Sequence, residues 1–324
     1  MARKWWWPVL LVVMGILGAA CMPLPGGSPF PALPGPSSAP TPRYPVGTIA
    51  DGMKAELLDP GSMPPGMNLW SCKPSADHPY PVILVHGTFA NEAFSWQALS
   101  PMLADAGYCV YGLDYGADAS TLGRFYGLAP IPEAAQQLAS FVQKVLASTG
   151  ASEVDMVGHS QGGMMPRYYM KFLGGAGKVH MLVGLAPSNQ GTTADGLMAL
   201  MSGLQALGFP AFNELGCYSC TEQEQGSAFL TKLNAGGDTL PGPKYVVIES
   251  KYDEVVTPYT NAFLSGPADQ VQNITLQNQC ATDYTEHIGI IYDPVALQDV
   301  MNALGADSPT FRPRCSVVLP VISG

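Results

Sequence analysis

The chain has 324 residues, 47% hydrophobic and 12% charged, which is enough to bury one large core and too apolar for a disordered chain. Its formal net charge of −10 argues against nucleic acid as a partner, because phosphate binding needs a basic patch. Abundant glycine and proline mark a loop-rich protein.

Residues 1–21 read as an export signal. Arg3 and Lys4 supply the positive start, and Val9 to Ala20 form an apolar run too short to span a bilayer comfortably. Small residues allow cleavage near Ala20. Alternatively Cys21 is the acylated cysteine of a lipoprotein, although Gly18 stands where such signals usually carry leucine. An uncleaved anchor is a third reading, given Trp5, Trp6 and Trp7. Residues 22–45 are proline-rich and read as an extended tether that would hold the domain at a membrane or cell wall.

The folded domain is expected over 46–324. Pro81 to Val85 is a continuous, β-branched run and predicts a buried strand, ending in His86-Gly87-Thr88-Phe89. A helix is predicted through Phe94, Trp96 and Leu99, stopping by Pro101, and then a strand over Tyr108–Leu113. Pro132 and Glu133 open a helix with Leu138, Phe141, Val142, Val145 and Leu146 on one face, ended by Gly150.

Val154 to Val157 is the next strand, turning through Gly158-His159-Ser160-Gln161-Gly162 into an apolar helix with Met164, Met165, Tyr168, Tyr169 and Phe172. Strand, G-x-S-x-G and helix together are the nucleophile elbow of an α/β-hydrolase. The turn holds the Ser160 hydroxyl proud of the sheet at a helix N-terminus, where the Gln161 N–H can face an oxyanion.

Val179 to Leu185 predicts another strand. In 196–215 an apolar stripe of Leu197, Leu200, Met201, Leu204 and Leu207 reads either as a core helix or as part of a cap or lid, about 190–225, over an apolar pocket. Tyr245–Ser250 and Ile274–Gln277 are the last predicted strands, and Asp293–Leu304 the last helix. Strands alternating with helices predict an α/β fold with a mostly parallel central sheet flanked by helices.

Setting Cys21 aside leaves six cysteines, an even number that suits disulfides in an exported protein. Position favours Cys72 with Cys109, Cys217 with Cys220, and Cys280 with Cys315. No second pair or His cluster lies near Cys217 and Cys220 to build a zinc site.

A serine needs a histidine to take its proton, and the histidine needs an acid to fix its tautomer. In this fold the order is Ser, acid, His. After Ser160 come only His180, inside an apolar strand, and His287, after the last strand and before the last helix. His287 is the expected base. Asp253, just past a strand end, is the expected acid, with Glu254 its rival. Glu249 lies inside the strand, and Asp283 has no strand of its own. Thr88 and Gln161 are the expected oxyanion donors, with His86 bracing the loop and His159 forming a wall.

The segments Val85–Ala90, Gly158–Gly163, Tyr252–Tyr259 and the His287 loop resemble the bacterial secreted class 2 lipases and esterases, over about Tyr80 to Leu304. The resemblance implies a Ser160–Asp253–His287 triad, oxyanion donors Thr88 and Gln161, and carboxylic ester hydrolysis, often of acylglycerols, without a cofactor. The placement of Thr88 and the late cysteine pair are also similar to fungal lipase B. The expected partner is therefore an ester or lipid, met by a monomer. Two alternatives stand: a cell-envelope acyltransferase, separable by product analysis with an added alcohol, and a non-catalytic lipid-binding envelope protein, which would bind without turnover.

Overall fold

The computed structural model describes residues 43–117, 124–209, 216–305, 308 and 310–321. The expected export signal, Cys21, the tether up to residue 42, and residues 210–215 of the expected cap lie outside the described residues. No helix among the described residues is long and apolar enough to cross a membrane.

Six strands form one sheet: β1 (Val82–Val85), β2 (Val110–Leu113), β3 (Val154–His159), β4 (Val179–Leu185), β5 (Lys244–Glu249) and β6 (Val271–Thr275). Their order is β2-β1-β3-β4-β5-β6 and every pairing is parallel. Parallel strands connect through helices on both faces, so both faces must be apolar. The central strands obey this. Val82 and Leu84 enter one core, and Ile83 and Val85 the other, because successive side chains point to opposite faces.

Helices α1 (Ile49–Leu58), α2 (Glu92–Ser95), α3 (Leu99–Asp105), α4 (Ile131–Thr149), α5 (Gln161–Phe172), α6 (Ala194–Ala206), α7 (Tyr218–Glu222), α8 (Ala228–Asn234), α9 (Leu276–Gln279) and α10 (Pro294–Leu304) complete the order. On one face α4, α5 and α8 bury Leu138, Val142, Met164, Tyr168 and Leu230. On the other, α3, α6 and α10 bury Leu103, Leu200, Leu204, Val295 and Val300.

Several boundaries move. The expected strand from Tyr108 starts at Val110. The last strand is Val271–Thr275, and Leu276 already opens a helix. The single helix expected to stop by Pro101 is two short helices, α2 and α3. Pro101 lies in the first turn of α3, where a missing N–H costs nothing.

All three expected disulfides are formed, Cys72–Cys109, Cys217–Cys220 and Cys280–Cys315. The last ties the end of α9 to the C-terminal tail. A second clip closes the 283–293 segment: Asp283 and Asp293, 0% and 1% exposed, lie near enough for each to perturb the other's charge, and each keeps one oxygen, Oδ2, without a donor. Burial first, and the Asp283 charge second, push the Asp293 carboxyl up to about 7. Asp293 also caps α10, accepting from the Val295 and Ala296 N–H groups at 2.6 and 3.1 Å.

A carboxyl whose folded value is raised adds stability that is full below its unfolded value of 3.8 and is lost as pH climbs through about 7. Thermal melting should therefore fall between about pH 4 and 7 and level off above. Asp293→Asn, which keeps the cap, should flatten that fall by one proton's worth of linkage. An unchanged slope would mean that the pair does not hold the proton.

Candidate active site

The strand order reverses between β1 and β3, since β2 lies to one side of β1 and β3 to the other. Such a switch point opens a crevice at the carboxyl ends of the strands. Register sets Val85 opposite Gly158, so the chain leaving β1 at His86-Gly87-Thr88 runs beside the chain leaving β3 at His159-Ser160.

Ser160 sits at φ 54° and ψ −122°, a conformation that costs a non-glycine residue about 1–3 kcal/mol. Close packing of the backbone holds it there. A Cβ on Gly158 would lie 1.9 Å from the Gly162 carbonyl, and one on Gly162 would lie 2.2 Å from that of Val85. Only glycine fits either position. The turn delivers Ser160 Oγ to the first turn of α5, whose N–H groups have no acceptor inside the helix.

The structure brings Ser160, His287 and Asp253 into one chain of contacts. Ser160 Oγ lies 3.0 Å from His287 Nε2, and His287 Nδ1 lies 2.7 Å from Asp253 Oδ2. Asp253 Oδ1 accepts the Val255 and Val256 N–H groups, both at 2.7 Å. Ser160, Asp253 and His287 are 4%, 5% and 0% exposed. Burial opposes charging of His287, but the charge of Asp253, the hydrogen bond that His287 Nδ1–H donates to it, and the charges of Glu254 and Glu286 outweigh burial, so the imidazole lies above its ordinary value.

The remaining histidines separate cleanly. His159 Nε2 faces the His287 carbonyl at 2.9 Å, so this ring is more than a wall: it ties the serine strand to the base loop. Burial, and then His287, lower it to about 3, so it stays neutral. His86 Nδ1 donates to the Gly87 carbonyl at 2.8 Å, and its ring stacks on Tyr115 at 4.4 Å. Burial lowers it to about 4. That neutrality makes its 3.6 Å approach to Asp114 no ion pair. His180 lies near the start of β4, bonded to Asp155 at 2.8 Å, remote from the strand ends that carry Ser160.

The acidic rivals are otherwise engaged. Glu254 accepts the His287 backbone N–H at 3.4 Å rather than facing its ring. Asp283 accepts the Thr285 N–H at 3.0 Å and is clipped to Asp293. Glu249 is wholly buried beside Asp253.

Thr88 is held by two amides. Its Oγ1 accepts from Gln161 Nε2 and from Gln223 Nε2, both at 2.9 Å. With both lone pairs engaged, the hydroxyl proton is left to point elsewhere. Gln223 follows α7 and also accepts from Ser188 Oγ at 2.9 Å. The sequence reading missed Gln223, which lies 135 residues from Thr88 and carries no local signal. The Cys217–Cys220 disulfide closes the turn that starts α7, so it anchors this brace.

Helix α6 covers the apolar side. Leu200 and Leu204 face the core that also contains Phe89, Val255 and Ile288. An adjoining face, with Ala199, Ser202, Gly203 and Ala206, lines a cavity of about 740 Å³ that also touches Glu254 and Glu286 but not Ser160. Among the described residues no group of three or more His, Cys, Asp and Glu side chains is arranged to hold a metal ion.

The model of the Lipase (class 2) family matches residues 79–300, more than half of the chain. A triacylglycerol lipase of Pseudarthrobacter phenanthrenivorans is 38% identical over 97 residues, which is 28% of this chain and 27% of that relative. The chain thus spans about a quarter of that relative's length. Among solved structures, lipase B of Aspergillus fumigatus covers 79% of this chain with 57% of its own, at a TM-score of 0.55 and 19% identity. Lipase BlEst2 of Bacillus licheniformis covers 72% of this chain with 94% of its own, at a TM-score of 0.51 and 15% identity. These two likenesses establish the fold as that of the α/β-hydrolases. With the family match running from ahead of β1 into α10, the chain belongs to the class 2 lipase family.

Proposed function

We propose that this chain hydrolyses carboxylic esters, acylglycerol-like lipids among them, through an acyl-enzyme on Ser160. The observation that carries the reading is the contact chain from Ser160 Oγ to His287 at 3.0 Å and from His287 to Asp253 at 2.7 Å. Ser160 Oγ attacks the ester carbonyl as His287 Nε2 takes its proton. Asp253 fixes the proton on Nδ1 and balances the imidazolium. The oxyanion accepts hydrogen bonds from the backbone N–H groups of Thr88 and Gln161 and from the Thr88 hydroxyl. His287 then protonates the leaving alcohol, and water repeats the cycle to release the acid.

Ser160 is 4% exposed, and the cavity beside α6 is the apolar space near the base segment into which an acyl chain could extend. Three disulfides fit an oxidising compartment, so the chain acts after export, tethered or free through its N-terminal segment.

Serine-directed phosphonate should label Ser160, as read by peptide mass spectrometry, with parallel loss of nitrophenyl-ester hydrolysis. Ser160→Ala and His287→Ala should each lower kcat by several orders of magnitude, and the double variant should be no worse than either. Multiplying losses would break the assignment.

Two finer outcomes follow from the geometry. Because His287 lies above its ordinary value of 6.5, and must be neutral to act, the acid limb of kcat/KM should fall above that value. Gln223→Leu frees the Thr88 hydroxyl to rotate and should cost about tenfold in kcat with little change in KM. Gln223→Glu, whose carboxylate would accept the Thr88 proton, should cost more. Equal activity in all three proteins would remove the hydroxyl from the oxyanion site.

A further inference from the structure

Glu249 is the last residue of β5, and its side chain is 0% exposed. One oxygen, Oε1, accepts the Ser250 N–H at 2.7 Å. The other, Oε2, is sealed from water with no donor beside it. Among the described residues no lysine, arginine or histidine forms an ion pair with it. It is buried next to Asp253, four residues on, near enough for the two carboxyl charges to oppose each other. An ionised Glu249 would be a second buried anion next to Asp253, holding one hydrogen bond and no counter-charge. Such a group neutralises instead.

Taking Ser160, His287 and Asp253 as the triad, we propose that Glu249, held in its protonated form, is the positioning residue of the acid: it donates its carboxyl proton to Asp253 and keeps the two carboxyls at one negative charge between them. Asp253 is then bonded on every side, by Val255 and Val256 at Oδ1, by His287 at Oδ2, and by Glu249. Burial first, and then the Asp253 charge, drive the Glu249 proton on.

The consequence reaches the base. Around His287 stand Asp253 and Glu254 from the loop after β5, Glu286 from its own loop, neutral His159 at the end of β3, and Ser160 in the turn after it. Two full charges at 249 and 253 would hold the proton on His287 and silence it as a base at neutral pH. One charge, drawn partly onto the Glu249 O–H, stabilises the imidazolium without locking it in.

Infrared spectroscopy of the full chain tests the protonation directly. The wild-type-minus-Glu249→Gln difference at neutral pH should contain the C=O stretch of a buried, protonated carboxylic acid. Its absence would mean that Glu249 is ionised and would overturn the proposal, whatever Ser160 does. Glu249→Gln keeps a donor of the same shape, so its kcat, its acid limb and its downfield His287 Nδ1–H resonance should match the parent. Glu249→Leu leaves Asp253 short of a donor and more basic. Its acid limb should move to higher pH, its resonance should shift, and kcat should fall about tenfold.

If Glu249→Leu folds and both variants match the parent in all three readouts, Glu249 merely fills space and the proposal fails. If Glu249→Leu does not fold, the infrared band and the Glu249→Gln profile still decide. Turnover surviving in Ser160→Ala would count against the triad reading alone.

Discussion

The close approach of two backbone segments governs the whole carboxyl edge of the sheet. Gly162 sits under the Val85 and His86 carbonyls, and Gly158 sits under that of Gly162. Neither contact admits a methyl group. Because β1 and β3 are clamped this tightly, the chain after β1 must pass the serine turn, and Gly87 comes within contact of the Ser160 and His159 side chains. The strained dihedrals of Ser160 are thus a product of sheet packing, maintained by cores on both faces. Thr88 and Gln161 meet because their strands cannot separate.

Electrostatics at the site follow from burial of a single charge. Asp253 is almost sealed, and two backbone donors and an imidazole satisfy it. The surroundings obey the same economy. His86 and His159 are buried and neutral, each holding main chain in place rather than titrating. Carboxyls that could compete for the base accept from backbone N–H groups, Glu254 from His287, Asp283 from Thr285 and Glu249 from Ser250. In a low-dielectric setting, one ionised acid beside one imidazole is far more discriminating than several would be.

How much of this could be read beforehand depends on the range of the signal. Val82–Val85 and Val179–Leu185 declare themselves by unbroken apolar runs, and the elbow by glycine spacing around Ser160. His287 and Asp253 were legible from chain order, because the fold fixes which loops reach the strand ends. Gln223 was not, since an amide far along the chain has no periodicity to betray its contact with Thr88. Glu249 looked like an ordinary strand residue, because nothing in the local sequence tells that its side chain is buried beside Asp253. Asp283 and Asp293 hid for the same reason: their pairing exists only once the loop between them has closed. The split of α2 from α3 was lost because both read as one apolar stretch, and only the folded chain shows Pro101 in a first turn.

The base loop carries its own lesson. A histidine on a loop would ordinarily wander, and a reaction that used it would first have to order it. Here the segment is pinned by the Cys280–Cys315 bridge, by the Asp283–Asp293 clip, and by His159 reaching the His287 carbonyl. Its positional entropy is surrendered once, during folding. On the proposed mechanism, a loop held at three points would lose its geometry together with the elements it is tied to rather than by loosening alone.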